Sequence, residues 1–220
     1  MKRIFSLLVI IATYQQSALF AQATKNIHLV AGKETGSYCD FCAPLTSNIY
    51  PCYGVFADPA GNLLFTGGGH NICRINAIDP NNITMIAGGT WGTHLLSGDG
   101  GPATAAGVRV DAGIYVDAGN NIYSADCNNG DIRKIDYRTG NISHFAGIFF
   151  GGSIVDNVPA TASDLEGPND IIEDANGNIL ISDLKRIRKV ASGKAACDGD
   201  ALLFTAREFR GKMIEPMPQP

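Results

Sequence analysis

The sequence predicts an all-β fold assembled from one four-stranded unit used three times. Three observations predict it. The chain is rich in turn formers, with 26 glycines and 10 prolines among 220 residues. Its apolar residues fall in short runs between clusters of Gly, Asn, Asp and Pro, the pattern of strands joined by tight turns, and no stretch beyond the N-terminus keeps a helical period. Most tellingly, the chain repeats itself.

Three segments align: residues 54–88, 113–147 and 170–190. Asp58, Asp117 and Asp174 share one repeat position, and Asn62, Asn121 and Asn178 follow four residues later. The elements come in the same order each time. Phe56 or Tyr115 leads into an Asp-x-x-x-Asn turn. A second strand follows at Leu63-Leu64-Phe65, Ile122-Tyr123 and Ile179-Leu180-Ile181. A Gly/Asn-rich turn leads to a third, at Ile72-Cys73-Arg74-Ile75, Ile132-Arg133-Lys134-Ile135 and Ile187-Arg188-Lys189-Val190. Asp79-Pro80-Asn81-Asn82 or Arg138-Thr139-Gly140-Asn141 turns the chain into a fourth, at Ile83-Thr84-Met85-Ile86 and Ile142-Ser143-His144-Phe145. Four strands per unit is the strand count of a β-propeller blade. On residue counting, Arg74, Arg133 and Arg188 share a position, with Asp126 and Asp183 as expected partners. These recurring residues read as scaffold, since repeat proteins reuse their interface contacts.

Inserts precede the units, including Ser97-Gly98-Asp99-Gly100-Gly101-Pro102-Ala103-Thr104-Ala105-Ala106 before the second and Asp156-Asn157-Val158-Pro159-Ala160-Thr161-Ala162 before the third. Cys42-Ala43-Pro44-Leu45 stands at the matching place before the first. The order GDGGPATAA, a short strand ending in Asp, GN-I-Y-x-A-D, N-x-x-IRKI-D, T-G-x-I and x-A-G resembles the NHL-repeat family. It is most similar to the exported bacterial branch and to the propeller of teneurin-type surface proteins. The likeness extends over residues 27–190 and implies an NHL-type β-propeller. The first unit departs from it, with Gly67-Gly68-Gly69-His70 where the others carry Ala125-Asp126 and Ser182-Asp183.

Closed propellers have typically four to eight blades, and about three are legible here. Residues 27–32 match the last strand of a unit and read as an orphan closing strand. Residues 191–220 form an atypical tail, in which Ala201-Leu202-Leu203-Phe204-Thr205 is a candidate fourth strand. Three arrangements meet the arithmetic: a truncated propeller, an open arc, or two copies exchanging strands into a six-bladed ring, a homodimer.

Residues 1–23 read as a secretory signal peptide. Lys2 and Arg3 precede an apolar run, and Ala21-Gln22-Ala23 offers a cleavage site. The run is too short to span a bilayer, so no membrane insertion is expected after cleavage, and the product is secreted or periplasmic. Cleavage takes the formal charge from −4 to −6, because both residues of the basic pair are lost and no acid. That balance argues against nucleic acid as a partner. Cys39, Cys42, Cys52, Cys73, Cys127 and Cys197 all lie in the exported part, and an even count there suggests disulfides of unassigned pairing.

Residues that break the repeat are the candidate site: His70, Trp91 and His94, with Cys127 and His144 beside them as departures. A tryptophan next to a histidine is an amphipathic anchor for a ligand. His28, His70, His94 and His144 have no mutual spacing that marks a metal site. Asp99-Gly100 and Asp198-Gly199-Asp200 fall short of a calcium loop, so no cofactor is expected from local motifs. The family resemblance implies a binding or scaffold module that recognises protein or carbohydrate through blade loops. Its alternative is a lyase or hydrolase holding zinc or calcium in a central channel.

Overall fold

A computed structural model describes residues 27–33, 42–67, 69–89, 97–148 and 151–193. The signal sequence, Cys39, Trp91, His94, Cys197 and the tail beyond residue 193 lie outside the described residues. The chain divides into two compact units, Met1–Val30 and Ala31–Pro220. In the first, the described residues 27–30 form no strand, and Ile27, Leu29 and Val30 are exposed.

The second unit holds three antiparallel sheets, each a meander. The first is β1 (Cys52–Ala57), β2 (Leu63–Gly67), β3 (Asn71–Ile75) and β4 (Ile83–Ala87), hydrogen-bonded in chain order. The next repeats it with β5 (Ile114–Val116), β6 (Ile122–Asp126), β7 (Asp131–Ile135) and β8 (Ile142–Gly147). The last, β9 (Pro168–Glu173), β10 (Ile179–Asp183) and β11 (Arg186–Val190), has three strands among the described residues. A one-turn 3-10 helix lies before each sheet, at Pro44–Thr46, Ala103–Ala105 and Ala160–Ala162. No helix among the described residues is long and apolar enough to cross a membrane.

The Asp-x-x-x-Asn turns work by one mechanism. Asp117 accepts the backbone N–H of Asn121 at 2.8 Å on one oxygen and the Asn121 amide at 2.8 Å on the other. Asp58 and Asp174 hold Asn62 and Asn178 in the same way. The tight reversal needs a left-handed residue just before the asparagine, supplied by Gly61, Asn120 and Gly177 with φ of +84°, +64° and +80°. Asn121 then accepts from the Tyr137 N–H, so one turn also anchors the next.

The sheets bury apolar faces against one another. Ile72, Val108, Val110, Ile114 and Ile142 form the core between the first two sheets. Ile132, Ala146, Leu165, Ile171 and Ile181 form the core between the second and third. Phe65, Cys73, Ile75 and Ile83 make a smaller cluster on the first sheet, with Ala31 and Ile49 packed on it.

Residue counting misplaces one arginine. Arg74 pairs with Leu64, as Lys134 pairs with Tyr123 and Lys189 with Leu180. The partner of Phe65 is Cys73, while Arg133 opposes Ser124 and Arg188 opposes Ile181. Cys73 therefore holds the position of Arg133 and Arg188. The cause is the β2–β3 turn, one residue shorter than the β6–β7 turn, which shifts the count but not the pairing.

The arginines also choose different partners from the expected Asp126 and Asp183. Arg133, 2% exposed, reaches back to the insert before its own sheet. It donates to Asp99 at 2.7 Å and to the Ser97 and Gly107 carbonyls. Arg188 does the same in the third sheet, with Ser163, the Val155 and Asp164 carbonyls and Asp156. Asp126 is instead occupied by Asn129, and Asp183 accepts the Gly167 N–H.

Cys52, Cys73 and Cys127 are not joined in disulfides. This corrects the expectation of a framework using all six cysteines. The three sit apart in the fold: Cys52 is exposed at the start of β1, Cys73 is buried in the first sheet, and Cys127 lies in the β6–β7 turn against Gly167. Among the described cysteines, Cys42 is disulfide-bonded.

Candidate functional site

The β2–β3 turn of the first sheet, the segment leading into β5 and the β6–β7 turn bring polar side chains together. Asp111 is the centre. Its Oδ1 lies 2.9 Å from Nδ1 of His70, and its Oδ2 accepts from Arg109 Nε at 3.0 Å and from the Asn128 amide at 2.6 Å. The Asp111 side chain is only 9% exposed, whereas His70 and Arg109 are about one third exposed. A nearly buried carboxylate thus accepts hydrogen bonds from Arg109 and Asn128 and faces the His70 imidazole at ion-pair distance.

The local sequence explains why the cluster occurs here and not at the next junction. Counted back from the paired strands, Asp111 falls in line with Cys52 at the start of β1 and Pro168 at the start of β9, neither of which carries a carboxylate. His70 is held at φ +72°, a left-handed conformation uncommon for a residue with a Cβ. Gly130 holds the same conformation, φ +67°, directly before β7, so the reversal into the third strand asks for it in both turns.

The surroundings are acidic. The Asp126 carboxyl is raised to about 6, chiefly by burial and also by the Asp111 charge, against the Asn129 hydrogen bonds and Arg109, which act in the opposite direction. Burial also pushes the Cys127 thiol up, and Asp126, Asp111 and Asp183 add to it. Cys127 is accordingly a thiol at neutral pH and no thiolate nucleophile. A second histidine–carboxylate pair, His144 Nε2 to Asp131 Oδ1 at 2.9 Å, sits across β7 and β8. Burial raises the Asp131 carboxyl, against the pull of His144 and Arg133.

Of the residues the sequence singled out, the structure brings His70 into this cluster, and Trp91 and His94 lie outside the described residues. Asp111, Arg109 and Asn128 were not legible as candidates. Asp111 stands in a connecting segment outside the aligned units, and only the register shows that it replaces Cys52 and Pro168. Among the described residues, no three His, Cys, Asp or Glu side chains gather in a group able to hold a metal ion.

No protein-family model matches the chain, and no curated protein does. Solved structures do. A protein of unknown function from Bacteroides thetaiotaomicron is similar at a TM-score of 0.59 and 21% identity, over 77% of this chain and 40% of that one. An auxiliary nutrient binding protein from the same organism is similar at 0.48 and 19%, over 61% and 36%. A virginiamycin B lyase from Staphylococcus aureus is similar at 0.37 and 16%, over 64% and 41%. The chain spans about two fifths of the length of these structures. The first of them, with the sheet order, shows the fold: a partial β-propeller.

Proposed function

We propose that the chain is an exported NHL-type binding module that takes a protein or carbohydrate ligand at the junction of its first two sheets. One observation carries this reading: the His70–Asp111–Arg109–Asn128 cluster departs from the repeat and gathers polar side chains at one junction. Carboxylate-anchored amide, guanidinium and imidazole groups present fixed donors, and fixed polar groups give orientation and specificity to a ligand. The export signal and the NHL-like motifs support an extracellular or periplasmic setting. Trp91 and His94, the other candidates of the sequence, precede in the chain the segment that carries Asp111.

An oligosaccharide array probed with the purified chain tests this, followed by calorimetry on the best binder. Asp111→Ala releases all three partners, so affinity should drop roughly tenfold or more while the circular dichroism stays unchanged. Unaltered affinity would remove the cluster from the recognition surface.

The lyase or hydrolase reading keeps one specific observation. A carboxylate 2.9 Å from one imidazole nitrogen orients a histidine as it would a general base. Bond-cleaved products in mass spectra of the incubated ligand, absent with His70→Ala, would favour it. Bound zinc or calcium in elemental analysis would do the same.

A further inference from the structure

Two faces of this chain are exposed where the repeat elsewhere buries them. Ile187 of β11 holds the position of Ile72 and Ile132, each 0% exposed between sheets, yet it is 78% exposed. Val55 of β1 holds the position of Ile114 and Ile171, which are 4% and 2% exposed, yet it is 64% exposed. Ile72 and Ile114 share one inter-sheet core, and Ile132 and Ile171 share the other. Ile187 and Val55 are therefore the two halves of a third junction of the same kind.

The strands match in the same sense. β11 has no outer neighbour among the described residues, although β3 is covered by β4 and β7 by β8. Residues 27–32 read Ile-His-Leu-Val-Ala-Gly, against Ile83-Thr-Met-Ile-Ala-Gly and Ile142-Ser-His-Phe-Ala-Gly. Gly32 behaves as the end of such a strand. It has φ +103°, against +93° for Gly88 and +105° for Gly147. Its N–H donates to the Pro44 carbonyl at the start of the following 3-10 helix, as the Gly88 N–H donates to that of Ala103.

We infer that a second copy of this chain completes the third sheet: residues 27–31 of one copy pair with β11 of the other, and Val55 of the first packs on Ile187 of the second. The observed pairings set the register. Arg74 opposes Thr84 and Lys134 opposes Ser143, so Lys189 faces His28 of the other copy, and Val190 faces Ile27. The three sheets described in each copy would make six, within the range of closed propellers, and two such contacts would join them end to end. Asp170 marks a difference at this junction that bears on packing. It occupies the position of Gly54 and Gly113, whose missing side chains let adjacent sheets touch. The Asp170 side chain therefore needs a wider spacing at the new junction than Gly54 and Gly113 allow at the other two, which weakens the contact.

The test uses the full chain in two differently tagged forms, His28→Cys in one and Lys189→Cys in the other. Mixed and mildly oxidised, they should give a disulfide-linked heterodimer that neither form gives alone. Light scattering on the unaltered chain should read twice the chain mass. Ile187→Asp, at a site exposed in the single copy, should return the mass to one chain with unchanged circular dichroism. Asp170→Gly should tighten the pair several-fold in dilution experiments. A folded monomer at micromolar concentration overturns the proposal. So does a dimer that Ile187→Asp leaves intact or that fails to cross-link at this pair.

Discussion

Asp126 shows how one buried carboxyl ties stability to pH. Its pKa is raised from the ordinary 3.8 to about 6, mainly because burial penalises the charge. The folded chain therefore keeps a proton that the unfolded chain has already released. The stabilisation is full below the unfolded value and is lost as pH rises through about 6. Asp131 is raised as well and acts in the same sense. Asp126→Asn should flatten the decline in unfolding free energy between about pH 4 and pH 7, by up to about 3 kcal/mol in urea titrations. None of this was legible in the sequence. Asp126 was legible as half of a recurring Ala-Asp turn, but burial is a property of packing, and its neighbour Asp111 comes from outside the aligned units.

At the level of elements, the arginine on the third strand clamps the insert that enters its own sheet. Arg133 is buried and holds Asp99, Ser97 and Gly107 at once. Arg133→Ala should cost about 1–3 kcal/mol, since it strands buried acceptors. It should also speed amide exchange across residues 97–107, readable by mass spectrometry. Slow exchange there in the variant would show that the insert holds without its clamp. The strands themselves were legible because period, turn residues and spacing agreed. The clamp was not, because counting from the aspartates ignores a hairpin shortened by one residue. Pairing restores the register and puts Cys73 where the clamp would be, so the first insert is held by other means. The Pro44–Thr46 turn is fastened instead by the Gly32 N–H and by Ser47 donating to the Ala43 carbonyl.

Across the second unit, the spacing of the sheets depends on two glycines of ordinary φ. A Cβ at Gly113 would stand 2.9 Å from the Asn169 carbonyl oxygen of the third sheet, and one at Gly54 would stand 2.8 Å from that of Ala112. Both obstacles are backbone and cannot turn aside. Gly113→Ala should therefore destabilise by about 1–3 kcal/mol through overpacking, a shift visible in the urea midpoint. An unchanged midpoint would mean that the sheets can separate freely. Two of the turns have a last consequence, for chemical ageing. Asn129-Gly130 and Asn176-Gly177 are the sequence pairs at which asparagine deamidates fastest, by attack of the glycine nitrogen on the side-chain amide. In the fold both nitrogens are engaged: Gly130 N–H donates to the Asp126 carbonyl and Gly177 N–H to that of Asp174. These two turns, one in the second sheet and one in the third, thus restrain their own asparagines, so deamidation at either pair would record how long a molecule has spent unfolded.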